Sequence, residues 1–172
     1  MRSKSKQKGS AFERKICKAL SLWISGSRED LFWRSAMSGG RATLAGKKAQ
    51  GQAGDICAID PLGHKLTDKF YIECKNYEDL NFDSYIYDNK GILASMILEN
   101  HWKAAELNKT LMLVFKENRR PEMVLFNTTF YLDRSYVITN NLPPNPFIIY
   151  KLSDILSLDF GKFLRMSGGL NE

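Results

Sequence analysis

The sequence has few of the residues on which nucleophilic and zinc-dependent enzymes depend. Its 172 residues include only two histidines, His64 and His101, which lie far apart in the chain. Catalysis by a Ser-His or Cys-His pair is therefore poorly supported. The three cysteines, Cys17, Cys57 and Cys74, show no CxxC spacing and lie among apolar residues, which favours buried free thiols over zinc ligands or disulfides.

Long apolar runs are also missing. No run reaches the ~18 residues that a membrane-spanning helix needs, and the first residues lack the apolar segment of a signal peptide. We therefore expect a cytoplasmic protein without membrane contact. The chain is 44% hydrophobic and 26% charged, values typical of a soluble globular protein, and its length predicts one domain.

Positive charge is concentrated in the first third of the chain. Residues 1–50 contain 12 Lys and Arg against 3 Asp and Glu, a net charge of +9. Residues 51–172 contain 13 against 16, a net charge of −3, which gives +6 for the whole chain. This asymmetry favours a polyanionic partner, with nucleic acid as the first candidate. A basic arm that serves only solubility is the simpler alternative.

The most informative stretch comprises residues 54–60 and 70–75, which the pattern predicts to be two strands joined by a turn into a hairpin. Antiparallel pairing would place Asp55 opposite Glu73, and side-chain alternation puts Glu73 and Lys75 on one face with Cys74 on the other. Two neighbouring carboxylates repel unless a cation lies between them, and Mg²⁺ prefers such oxygen ligands. Alternatively, Asp55 is a turn residue and the charged pair is a solvated strand face.

Before this stretch, the pattern predicts a flexible basic arm over residues 1–9 and a helix over 10–25. The apolar residues of the helix recur at helical spacing: Phe12, Ile16, Ala19, Leu20 and Trp23. Ser10 and Glu13 match a capping box, which is an alternative to a catalytic role for Glu13. A strand is predicted over residues 31–36. The Gly-rich basic segment 37–53 is interpreted as a phosphate-binding loop, or alternatively as a surface loop without a ligand.

After the two strands, residues 76–90 show no clear period and predict a loop. A helix is predicted over residues 91–107, with Leu93, Met96, Ile97 and Trp102 facing the core and His101 as a surface or packing residue. Strands are predicted over residues 110–115, 123–126, 129–139 and 147–150, followed by a final helix over 153–166. We divide the chain into the arm, a core at 10–127 and a C-terminal extension at 128–172 packed on that core.

The order of these elements resembles the restriction-endonuclease-like, or PD-(D/E)xK, nuclease superfamily, whose motif is an Asp, a variable gap and then Glu-x-Lys. Within it the sequence is most similar to archaeal-type Holliday junction resolvases and their phage and viral relatives. Residues 9–14 match their Gly-x-x-x-Glu-Arg, and residues 34–39 match their Arg-x-x-x-Ser-Gly. The resemblance covers residues 9–127 and implies one α/β domain with a central mixed β-sheet flanked by helices. The Gln-x-x-x-Tyr of the exonuclease branch is missing between residues 91 and 108.

The resemblance also implies a site. Asp55, Glu73 and the Cys74 carbonyl would bind Mg²⁺, or Mn²⁺ in its place, and Lys75 would orient or deprotonate the attacking water. Glu13 would act through a metal-bound water or hold a second ion. The remaining site residues would bind DNA phosphates: Arg34, Ser38, Arg41, Lys47 and Lys48.

The resulting hypothesis is a metal-dependent endodeoxyribonuclease, most similar to a Holliday junction resolvase, that acts on branched or duplex DNA. A restriction-like or phage degradative nuclease is the first alternative, and a DNA-binding module that does not cut, or an RNA nuclease, is the second. Two symmetric cuts need two active sites, which favours a homodimer. Apolar residues at 147–150 and Leu156, Phe160, Phe163 and Leu164 are candidates for its interface.

Overall fold

The computed structural model describes residues 4–35, 53–128, 130–139 and 146–167. Its helices and strands within those ranges are, in chain order, α1 (Lys4–Ser25), β1 (Phe32–Arg34), β2 (Ile56–Ala58), α2 (Pro61–Thr67), β3 (Phe70–Tyr77), α3 (Phe82–Asp88), α4 (Ile92–Glu106), β4 (Thr110–Glu117), β5 (Met123–Phe126), β6 (Tyr136–Thr139), β7 (Phe147–Lys151), α5 (Leu152–Leu156) and α6 (Phe160–Met166). None of the helices in these ranges combines the length and hydropathy that a bilayer span requires.

The main sheet has five strands in the order β3-β4-β5-β7-β6. β3 and β4 are parallel because α3 and α4 carry the chain back between them, and the other neighbours are antiparallel. β1 and β2 form a separate antiparallel pair. This pair is tied to the β3 edge by a backbone hydrogen bond of 2.9 Å from the Asp55 amide to the Ile72 carbonyl. The predicted mixed sheet flanked by helices is confirmed.

Each face of the sheet buries its own apolar core. On one face, α1, α5 and α6 cover residues that include Ile72 and Cys74 of β3, and on the other α3 and α4 cover residues that include Tyr71. Strand alternation then places Glu73 and Lys75 on the α4 side. The three cysteines are free and buried, as predicted.

The predicted start of the first helix at Ser10 is wrong, because α1 begins at Lys4. Residues 4–9, which contain no apolar stripe and fall within the predicted flexible arm, form the first turns of α1. Ser10 therefore lies inside the helix, where the amides of the following turn already have backbone partners. The capping-box interpretation of Glu13 is wrong for the same reason.

The predicted hairpin is also wrong. Residues 61–67, expected to contain the turn, form α2, with Pro61 at its first position and the Asp60 carboxylate accepting a hydrogen bond from the Leu62 amide. The preference of proline for the first helical position opposes the turn interpretation. Gly63 permits close packing, since a Cβ there would lie 2.9 Å from the Leu31 carbonyl oxygen.

Several other elements also differ from the sequence prediction, because tertiary contacts outweigh local sequence signals. The predicted loop at 76–90 contains α3, and the predicted final helix is two short helices, α5 and α6. Trp102, predicted to face the core, is 58% exposed. His101 is buried, as a packing residue would be, and hydrogen-bonds Asn127 at 2.9 Å.

The segment after residue 127 is integrated into the sheet. β7 hydrogen-bonds β5 on one side and β6 on the other, so it is an interior strand. The Trp23 indole of α1 donates a hydrogen bond of 2.8 Å to the Leu158 carbonyl and packs edge-on against Phe160 and Phe163. These residues complete the core beneath α1, so they do not form a layer added to a finished domain.

Candidate active site

Glu73 lies at the centre of a polar cluster on one face of β3. Its neighbours two residues away, Tyr71 and Lys75, point to the same side because strand side chains alternate. The Tyr71 hydroxyl donates a hydrogen bond of 3.2 Å to Glu73 Oε2, and Lys75 Nζ donates one of 2.5 Å to Oε1. Both carboxylate oxygens thus have a partner, and the orientation of the Glu73 side chain is fixed.

Asp55 is brought to this cluster by an unusually close approach of its backbone to β3. Gly54, with φ +88°, precedes it, and a Cβ at that position would lie 2.5 Å from the Ile72 carbonyl oxygen. Only glycine meets both conditions. The approach permits the 2.9 Å bond between the Asp55 amide and the Ile72 carbonyl, and the Cys74 amide then donates a 2.9 Å bond to Asp55 Oδ2.

The sequence prediction that Asp55 and Glu73 are neighbours is therefore supported by geometry, although the connection is a helix. Lys75 Nζ lies 3.8 Å from Asp55 Oδ2 and so contacts both carboxylates. Asp55 is 6% exposed and Glu73 is 7% exposed. The arrangement is a buried pair of acids with one ammonium group between them.

The electrostatics of the cluster follow from this burial. Burial raises the pKa of Asp55 to about 7, the nearby Glu73 carboxylate raises it too, and Lys75 opposes both effects. Burial alone would lower the pKa of Lys75, but the charges of Glu73 and Asp55 outweigh it and raise that pKa on balance. Lys75 is accordingly protonated at neutral pH, where its ammonium lies against both carboxylates.

Glu13 reaches the same site from α1. Its Oε2 accepts a 2.8 Å hydrogen bond from Arg34 Nε of β1. Arg34 is in register with Ile56, the residue after Asp55, and the Ser35 amide donates a 2.8 Å hydrogen bond to the Asp55 carbonyl. The Glu13 charge makes a small contribution to the raised pKa of Asp55. The structure thus brings Glu13, Arg34, Asp55, Glu73 and Lys75 to one region.

The other predicted site residues divide into two cases. The Cys74 side chain is buried on the α1 side and burial raises its pKa well above the usual value, so the thiol is no ligand and only the backbone carbonyl could serve. Ser38, Arg41, Lys47 and Lys48 lie outside the described residues. Their proposed phosphate contacts stay predictions.

The donor set suits a hard divalent cation. Among the described residues no three His, Cys, Asp or Glu side chains are grouped to hold a metal ion, so Asp55 and Glu73 would be the side-chain ligands. Mg²⁺ is commonly held by one or two carboxylates while it keeps several waters. Burial and the neighbouring Glu73 carboxylate both raise the pKa of Asp55, and a divalent cation beside the two carboxylates would favour their charged forms.

Two supporting residues were missed in the sequence. Gly54 permits the approach of Asp55, and its position before a site aspartate was the only available signal. Tyr71 holds Glu73, and the alternation already used for Lys75 would have found it two residues before Glu73.

A family model described as "Phage putative PDDEXK endonuclease" matches residues 4–155 of the chain. The match therefore includes every element from α1 through β7 and all five residues of the cluster. A comparison with curated proteins finds no match. A comparison with solved structures finds none either.

Proposed function

Because the chain belongs to the phage putative PDDEXK endonuclease family, and so to the PD-(D/E)xK nucleases with their restriction-endonuclease-like fold, we propose that it is a divalent-metal-dependent endodeoxyribonuclease. The observation that carries this proposal is the buried pair Asp55 and Glu73 with Lys75 in contact with both. Mg²⁺ is the proposed ion, and Mn²⁺ is expected to replace it.

Asp55, Glu73 and the Cys74 carbonyl would hold the ion. When bound, Mg²⁺ supplies a Lewis acid that polarises the scissile phosphate and lowers the pKa of a coordinated water. The fixed side chains favour this role: the Cys74 amide orients Asp55, and Tyr71 and Lys75 orient Glu73. A ligand pair that is already oriented loses little entropy on binding the ion.

Lys75 is assigned to charge stabilisation and to orienting the attacking water. Its pKa is raised by Glu73 and Asp55, so it carries a proton at neutral pH and can donate hydrogen bonds to a phosphate oxygen. If a divalent ion took over part of the carboxylate charge, the Lys75 ammonium would become available to substrate. Deprotonation of water by Lys75, the other role inferred from the sequence, is less favoured by this raised pKa.

Glu13 and Arg34 are proposed to act as a unit beside the metal ligands. Arg34 can bind a phosphate while its Nε holds Glu13, because a guanidinium has five N–H donors. Glu13 would accept a hydrogen bond from a metal-bound water or hold a second ion. These contacts position a DNA strand without reading its sequence.

The DNA structure that is cut is a finer proposal. We keep a junction-resolving activity, and with it a homodimer, as the first candidate, and a restriction-like or phage degradative nuclease as the second. The apolar residues first considered for a dimer interface give no support: residues 147–150 and Phe163 are fully buried within one chain. Leu156, Phe160 and Leu164 are partly buried against the same core. The homodimer thus depends on the need for two symmetric cuts alone.

A cleavage panel tests the proposal. Purified protein is incubated with four-way junction, flap, duplex, single-stranded and RNA substrates, in Mg²⁺, Mn²⁺ or EDTA. We expect cleavage of DNA that needs a divalent ion and is lost in Asp55→Ala, Glu73→Ala and Lys75→Ala. Full activity of Asp55→Ala would refute the site, and metal-dependent cleavage of RNA alone would refute the substrate class.

Sedimentation equilibrium distinguishes the two candidate activities, the junction resolvase and the degradative nuclease. A dimer, alone or on added four-way junction, with paired symmetric nicks would support the resolvase. A 19.7 kDa monomer that stays monomeric on the junction would favour the degradative nuclease.

A further inference from the structure

The turn between β4 and β5 carries positive charge that the proposed chemistry does not use. Arg119 lies at its tip, is exposed, and has a left-handed backbone with φ +65°. A residue other than glycine in that conformation costs about 1–2 kcal/mol. Its side chain has no hydrogen bond or ion pair within the described part of the chain. The neighbouring Arg120, by contrast, is paired with Asp83 and Glu117.

Three lysines surround this turn. Lys8 of α1 donates a 3.0 Å hydrogen bond to the neutral Asn118 side chain. Lys15 of α1 and Lys116 of β4 share a single carboxylate, Glu122. We name Lys8, Lys15, Lys116 and Arg119 the basic turn surface. Its four cations share one described carboxylate, Glu122, a net charge of +3, and the adjacent Arg120, Asp83 and Glu117 contribute a net −1, so about two positive charges remain at this turn.

The basic turn surface lies at the same end of β3 and β4 as the candidate site, but towards the α1 face of the sheet, whereas Glu73 and Lys75 lie on the α4 face. β3 and β4 are parallel, and Lys75 is in register with Phe115 while Tyr77 is in register with Glu117. The turn therefore begins two positions beyond Lys75, which is roughly 7 Å along the strand, on the neighbouring strand. DNA carries a phosphate about every 3.4 Å along each strand, so this offset corresponds to a few nucleotides from the scissile bond.

We infer that the basic turn surface binds the phosphate backbone of duplex DNA on one side of the scissile bond. This inference rests on the proposed function for the nature of the ligand, but it assigns a separate contact surface. A solvated charged face would be expected to pair its cations with local carboxylates, as Arg120 does. The unpaired Arg119 and the shared Glu122 leave charge that phosphate would neutralise, with release of counterions.

The test compares two double variants that each remove two positive charges. Lys8→Gln with Arg119→Gln removes charge from the basic turn surface. Lys65→Gln with Lys162→Gln is the control. Both control lysines are exposed, and they lie on α2 and α6 near the start of β3, where Phe163 stacks on Phe70.

Binding is measured by fluorescence anisotropy with a labelled duplex of two helical turns, in EDTA so that no cleavage occurs, over a range of salt concentrations. Loss of two phosphate contacts reduces the slope of log K against log salt by about 1.8. Between 50 and 200 mM salt the wild type should then lose about tenfold more affinity than the turn variant. The control should follow the wild type.

Equal slopes for the turn variant and the control would overturn the inference. Its failure is distinct from failure of the proposed function, which is read from cleavage in Mg²⁺ by the unmodified protein. If the wild type cleaves DNA but the turn variant keeps the wild-type slope of log K against log salt, only the inference about the basic turn surface is refuted. If the slope is reduced in the turn variant but the wild type does not cleave DNA, the DNA-binding role of the basic turn surface stands and the nuclease proposal is refuted.

Discussion

Replacing Gly54 by alanine is expected to separate the two carboxylates of the candidate site. The new Cβ would lie 2.5 Å from the Ile72 carbonyl oxygen, well inside van der Waals contact. β3 cannot withdraw easily, because it is hydrogen-bonded along its length to β4. The segment that carries Asp55 must therefore move away from β3, and the two hydrogen bonds that join Asp55 to that strand are lost.

The size of the effect follows from these contacts. A left-handed backbone costs a residue with a side chain about 1–2 kcal/mol. Each lost hydrogen bond adds about 1 kcal/mol. We therefore expect Gly54→Ala to lower the free energy of unfolding by about 3–4 kcal/mol, against a typical domain stability of 5–15 kcal/mol. The folded variant should cleave DNA at least a hundredfold more slowly, since a misplaced metal ligand is nearly equivalent to a missing one.

Two other glycines provide matched controls. Gly26 and Gly91 also have positive φ, +75° and +94°, but a Cβ at either position meets nothing within 4 Å. Their alanine variants should lose about 1–2 kcal/mol and retain full cleavage. Urea unfolding followed by tryptophan fluorescence measures the change in unfolding free energy, because Trp23 of α1 packs against Phe160 and Phe163 of α6 in the folded state. If Gly54→Ala is as stable as the controls and cuts normally, the close approach is not what positions Asp55.

Three further variants test the electrostatics and the supporting hydrogen bonds. In metal-free protein, Asp55→Asn should be more stable than wild type above neutral pH. The pKa of Asp55 is raised from 3.8 to about 7 in the folded protein. The folded wild type is therefore stabilised by the protonated carboxyl at low pH and loses that stabilisation as pH rises from about 4 to about 7. Added Mg²⁺ should raise the Tm of wild type and leave that of Asp55→Asn unchanged, whereas equal shifts would exclude Asp55 as a ligand. Glu13→Gln should reduce cleavage by about 10–100-fold and unfolding free energy by about 1 kcal/mol, because the Gln side-chain oxygen can still accept the hydrogen bond from Arg34. Normal cleavage would remove Glu13 from the site. Tyr71→Phe should lower kcat about tenfold with KM for DNA unchanged, because it loses only the hydrogen bond to Glu73; an unchanged kcat would contradict that role.

The part of the site that could be predicted from sequence is the part governed by strand periodicity. The alternation along β3 places Glu73 and Lys75 together whatever follows them. Their proximity to Asp55 was also predicted, but from a hairpin that does not exist. The correct prediction arose because a short connection of either kind returns the chain to the same edge of β3.

The remaining features depend on contacts that local patterns do not contain. The first turns of α1 have no apolar stripe, and contacts such as Lys8 with Asn118 lie more than a hundred residues apart in sequence. α2 carried a helix signal in Asp60 and Pro61, yet its glycine and short length favoured a turn. α3 is preceded by Asn81, which has a left-handed backbone and caps the helix by accepting a hydrogen bond from the Ser84 amide. No period in residues 76–90 reveals that start.

The interior position of β7 has a consequence for the order in which the domain folds. During synthesis, β3, β4 and β5 emerge well before residues 147–151, and until then β5 presents an unpaired edge. Such an edge is a template for association with other chains. Closure of the sheet, and the docking of Trp23 against a carbonyl 135 residues away, must wait for these late residues. Because such long-range contacts slow folding, we expect a refolding rate on the slow side for a domain of this size and aggregation of any chain interrupted before β7.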